Sequence, residues 1–188
     1  MNLVTGYRGT KHVTSADMAA FNRVIFGDGD YVIQTGDCLA ASYSDTNILR
    51  ILDGEMLIQG HHARIKVGTY EEVALTDGTS GTYRKDYIVA EYVKASDGTE
   101  SVTIKDIVGE EASSASAATL PTLTMEDLTQ YGNTRQVALY TVTFSGLSAG
   151  DPVQVFDPVN SLFTQVQNLI SYTSDSDAYM ELFCGSSP

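Results

Sequence analysis

The chain has no tryptophan, only two cysteines, and no Lys or Arg beyond Arg135. No apolar run approaches the roughly 18–20 residues that cross a bilayer, so no membrane insertion is expected. The N-terminal stretch Met1–Gly9 lacks the apolar core of a signal peptide. Synthesis in the cytoplasm is expected, with release by lysis or as part of a particle. Without that secretory context, Cys38 and Cys184 read as two unpaired thiols, with a single bridge between them left open. Missing Trp removes the best ring for stacking on sugars. There is no phosphate-cradling loop, no dinucleotide fingerprint and no nucleophile elbow.

What is present is acidic and strand-like. The formal net charge is −13. Residues 1–66 hold six Lys/Arg against seven Asp/Glu, and residues 67–188 hold five against seventeen. Such a surface repels phosphates, so nucleic acid is not an expected partner. An apolar fraction of 43% is ordinary for a folded domain. Thr, Val, Ile and Tyr recur in short runs, which favours strands.

Along the chain, residues 1–13 read as an extended arm suited to a neighbouring subunit. Thr14 caps a helix, with Asp17 in the capping-box position. Met18, Phe21 and Ile25 mark its apolar face, and Gly27 its end. Residues 30–75 read as a meander of short strands, with Asp53-Gly54 as a tight hairpin turn. A second set of strands starts near Tyr83, and Asp97-Gly98 joins 87–93 to 101–104. The Ala/Ser-rich stretch 109–125 reads as an exposed loop, followed by a short helical turn within 124–131. Gln136–Phe144 is the clearest strand. Asp157 and Pro158 read as the N-cap and first turn of a second helix. Leu162, Phe163, Val166, Leu169 and Ile170 form its apolar stripe, and Ala178–Phe183 is a closing strand.

The predicted fold is therefore mainly β, meander or sandwich-like, with two or three short helices; α+β is the alternative. Its parts are the arm 1–13, a β-rich unit 14–108, the loop 109–125 and a strand-helix-strand part 126–188 that can belong to the same domain.

Candidate chemistry is sparse. His61 and His62 are adjacent, so on a strand they face opposite sides and do not share a metal. His12 lies in the arm. Asp28-Gly29-Asp30 lacks the further oxygen ligands of a calcium loop. Asp53, Asp77, Asp97, Asp151 and Asp175 sit in turn-like contexts and read as solvated, which argues against a glycosidase pair. Tyr31, Tyr87, Tyr92 and Tyr140 fall within strands, where packing is their usual fate. No catalytic, cofactor-binding or metal-ligating residue is assigned, and no cofactor is expected.

Two blocks carry a likeness. One runs from Gly29-Asp30-Tyr31-Val32-Ile33 to Ile51 and on through Leu52-Asp53-Gly54-Glu55-Met56-Leu57-Ile58-Gln59-Gly60-His61-His62-Ala63-Arg64-Ile65. The other comprises Arg84-Lys85-Asp86-Tyr87-Ile88-Val89-Ala90-Glu91-Tyr92, Gly98–Val102, the Pro121 loop and Ala138–Val142. Over roughly residues 4–145 the chain resembles tail and baseplate structural proteins of phages and prophages of Gram-positive bacteria. Residues 158–188 match least. The resemblance implies a non-catalytic virion component that connects the baseplate core to fibres or receptor-binding proteins. It also implies a homo-oligomer, with a trimer favoured. A receptor- or glycan-binding module, touching a host surface glycan, is the alternative.

Overall fold

The computed structural model describes residues 13–173. The arm up to residue 12, with His12, and the predicted strand Ala178–Phe183, Asp175 and Cys184 lie outside the described residues. The fold is mainly β, with two α-helices and one 3-10 turn, at Leu128–Gln130, among the described residues.

Helix α1 spans Ser15–Phe26. Thr14 and Asp17 form the expected reciprocal capping box, and Gly27 closes the helix at φ 91°. Four strands follow: β1 (Asp30–Ile33), β2 (Ala41–Asp45), β3 (Ile48–Ile58) and β4 (His61–Ala74). Strands β2, β3 and β4 pair in sequence order as a meander, while β1 pairs with β3 instead of β2. The long strand β3 is central: β4 runs along one edge, and β1 and β2 lie end to end along the other.

Asp53-Gly54 is not a turn. It lies inside β3, at a bulge where the register with β4 shifts between Leu52 and Gly54. The bulge inverts the alternation of faces. Leu49 and Ile51 enter the core before it, and Met56 and Ile58 after it. Gly54 is needed for close approach, since a Cβ there would lie 2.6 Å from the backbone nitrogen of Leu39. Asp53 is buried, at 6% exposure, rather than solvated. Opposite the bulge, residues 66–69 of β4 fall outside the register with β3 and are exposed, Val67 at 85%.

The true hairpin is Gln59-Gly60, which pairs Ile58 with His61. Both turn residues have positive φ, 43° and 86°, the pattern of a type I′ turn. Gln59 tolerates this because its surroundings hold it. Its side-chain oxygen accepts from Leu128 N at 2.7 Å, and its carbonyl accepts from Arg23 at 3.1 Å.

The second sheet contains β5 (Tyr83–Lys94), β6 (Glu100–Ile107) and β7 (Thr134–Ser145), with β5 in the middle. Asp97-Gly98 does make the β5–β6 turn, and Asp97 accepts from Thr99 N at 2.9 Å. Strand β7 pairs with β5 across the 109–125 segment. That segment is laid onto the body rather than free: Ala112 bridges Tyr83, and Ala118 is buried. Its Gly109 passes so close to the Lys85 carbonyl that no side chain fits. Two short strands, β8 (Ser148–Ala149) and β9 (Val153–Gln154), cover the outer edge of β7.

The sheets share one core. Leu49, Ile51, Met56 and Ile58 from the first pack in the same cluster as Ile88, Leu139, Val142 and Phe144 from the second. Arg135 of β7 also holds Asp30 of β1 through paired bonds of 2.9 and 2.7 Å.

The second helix, α2, begins at Leu162 and runs to Thr173. It does not start at Pro158. Val159 instead bridges Ile33 in parallel, and Gln34 N and Val159 N donate across that contact at 2.8 Å. The extended backbone needed there postpones the helix. Ser161, not Asp157, caps it by accepting from Thr164 N.

Candidate functional site

A cleft of about 770 Å³ lies beneath α1 against the β3–β4 hairpin and the start of β6. Small size lets the helix sit there. Ala19 is buried, and Gly60 would drive a side chain into the Ala19 carbonyl. Asn22 donates to the Gly60 carbonyl at 2.7 Å.

Glu100 is the hub of the cleft. It accepts from the Ser15 hydroxyl, and its carboxylate lies 3.9 Å from His61 Nδ1. The His61 ring packs against Tyr92 with centroids 4.7 Å apart. Burial, then the charge of Glu100, pushes the Tyr92 hydroxyl up to about 12. The order of groups matters chemically. The carboxylate stands between the hydroxyl and the imidazole, so His61 is not placed to take the Ser15 proton. Glu100 ties the first turn of α1 to the sheet.

His61 and His62 are held separately, as strand alternation predicts. His62 Nε2 lies 3.0 Å from Glu55, while His61 turns to Glu100. Among the described residues, no three His, Cys, Asp or Glu side chains converge as metal ligands. Asp28 and Asp30 also diverge: Asp28 faces Arg23 at 3.5 Å, and Asp30 is taken by Arg135. Tyr92 and Tyr140 are buried as expected, and Tyr140 donates to the Leu39 carbonyl at 2.9 Å. Cys38 is a free thiol at a positive-φ position.

Burial pushes His61 below the ordinary imidazole range; Glu100 opposes this, while Arg23 and Lys94 reinforce it. The unfolded chain then takes up a proton that the folded chain refuses. Stability is therefore expected to fall as pH drops through about 6.5. A His61→Gln variant should lose that part of the slope in urea midpoints measured between pH 7.5 and 5.5. An unchanged slope would mean that His61 titrates freely. Half-buried Asp106 works in the opposite sense, because its carboxyl is raised, so the comparison with the variant isolates His61.

A second polar cluster lies inside the body. Arg84 and Asp86, two apart on β5, share one face and pair at 2.8 Å. Arg84 also donates to the Thr76 and Asp77 carbonyls, and Asp86 accepts from Gly109 N at 2.9 Å. The pair thus pins both the link between the sheets and the start of the 109–125 segment. Asp106 joins it, accepting from Thr76 N, with its other oxygen buried and unpartnered. Sequence patterns pointed to neither Glu100 nor this cluster. The Arg-x-Asp spacing at 84–86 was the available signal for the second.

The remaining distinctive surface is apolar. On α1, Met18, Phe21, Val24 and Ile25 face outward, Val24 at 86% exposure. On α2, Leu162, Phe163, Val166, Leu169 and Ile170 do the same, Phe163 at 73%. The stripes that the sequence marks on both helices are real, but neither is used on the core. No described helix is long and apolar enough to cross a membrane.

No protein-family model, no curated protein and no solved structure matches this chain.

Proposed function

We propose that the chain is a non-catalytic structural subunit of a phage tail or baseplate, a virion component that joins copies of itself to fibre or receptor-binding proteins. The observation that carries this reading is the division of apolar residues. The sheets have a complete core of their own, while two amphipathic helices hold their apolar sides to water. A chain built to assemble has this distribution. The polar clusters support the same reading. Glu100, Arg84 and Arg135 each fasten one element to another, and each is occupied in doing so.

The likeness of residues 4–145 to tail proteins supplies the kind of assembly, and the threefold symmetry of fibres favours a trimer. The glycan-binding alternative gains less. The tyrosine in the cleft, Tyr92, is only 3% exposed and offers no face for a sugar to stack on, and Phe26, which also lines the cleft, is half-buried.

Immunogold labelling and mass spectrometry of purified tailed particles from the source strain test the proposal. The expected result is label at the distal tail and the chain among the particle proteins. Its absence from intact particles that carry their other tail proteins would end the proposal.

A further inference from the structure

Helix α2 lies in a charge-free window. From Pro158 to Ser174 the sequence has no Asp, Glu, Lys or Arg, although residues 67–188 as a whole carry seventeen acids against five bases. Leu162, Phe163, Val166 and Leu169 stand exposed on one side of the helix. The apolar side of α1 adds Met18, Phe21, Val24 and Ile25. Both helices line one small groove of about 160 Å³, through Ile25 and Phe26 from α1 and Leu162 and Gln165 from α2, with Tyr31 and Val159 between them.

We propose that this two-helix face is closed by the same face of other copies of the chain, gathered about a symmetry axis. Charge selects that occupant. When a surface meets itself, acids that have no base beside them meet further acids, and beyond Arg135 the chain has no Lys or Arg to pair them. An acidic chain can do this without repulsion only through a stretch that has no charge, and α2 is such a stretch. A membrane surface fits worse, because interfacial helices border their apolar stripe with Lys and Arg, which α2 lacks. A basic protein fits worse too, since α2 offers no acid to pair with it. The two charges on α1 are already engaged: Asp17 in the capping box, and Arg23 on the Gln59 carbonyl and Asp28. The steps of four and three from Leu162 to Val166 to Leu169 suit packing against a second helix at a shallow angle. The inference deepens the reading of an assembly subunit, and rests on it for its role, by naming the surface through which copies join.

Size exclusion with light scattering on the full chain tests it, using the natural sequence and the variants Val166→Glu and Leu169→Glu. The natural chain should be an oligomer in the micromolar range, and each glutamate should weaken association by more than about tenfold. The thermal melt of the diluted, dissociated chain should not move, because both side chains already face water there. Should a glutamate lower that melt, the neutral variant Val166→Gln takes its place: weakened association supports the interface, and unchanged association overturns it. A natural chain that stays monomeric, as it would if residues 174–188 covered the face, overturns the inference. So does an oligomer that survives both substitutions, since copies then join elsewhere. An oligomer lost on substitution but absent from tail particles would sink the role and keep the interface. A monomer found in particles would do the reverse.

Discussion

Replacing Asp86 with Ala is expected to destabilise the chain by about 3–5 kcal/mol, the usual cost of leaving one member of a buried ion pair alone. Asp86 is fully buried, and its two oxygens take paired bonds from Arg84 at 2.8 Å each, with one also accepting from Gly109 N. Without it the guanidinium keeps only the Thr76 and Asp77 carbonyls and the face of Phe144 at 4.4 Å. Asp106 stands nearby, so the loss should fall towards the lower end of the range. Urea denaturation reads the effect as a lower midpoint at unchanged slope. Replacing both partners, Arg84→Met with Asp86→Leu, should recover much of the loss, because the desolvation of two charges is removed together. If the single variant costs under about 1 kcal/mol, water reaches the pair and the cluster is not an internal clasp.

Phe144→Ala is the other large effect, at about 3–5 kcal/mol. The ring is 1% exposed and lies in the core cluster with side chains of both sheets. It sits beside the Arg84 guanidinium, across the strand pair that matches Arg84 with Phe144. Truncation therefore opens a cavity and also removes a cation–π contact of about 0.5–2 kcal/mol. Phe144→Leu keeps most of the volume and should cost less, the remainder reporting the ring face. Denaturation followed by probes in each sheet should show one shared transition for both variants. Separate transitions would contradict the common core.

The helix stripes show how far periodicity reaches. Spacing identified the apolar sides of α1 and α2, and the capping box at Thr14 and Asp17 needed only local chemistry. Periodicity could not tell whether an apolar stripe meets this chain's core or another surface, because both uses need the same pattern. The two Asp-Gly dipeptides read as hairpin turns make a similar point. Asp97-Gly98 turns, whereas Asp53-Gly54 continues through a bulge, since Gly54 must let the Leu39 backbone approach. The Asp157-Pro158 signal was overridden in the same way, when Val159 was drawn into an extended bridge with Ile33.

By itself, the order of residues determined the strand-rich class, the first helix with its cap and the acidic character, because these depend on neighbours within a few positions. Only the folded arrangement decided which strand is central, which acids are buried, and that Glu100, Ser15, His61 and Tyr92 share one cleft. Those outcomes depend on groups as far apart as Ser15 and Glu100, separated by 85 positions and brought together when two sheets bury a common set of side chains.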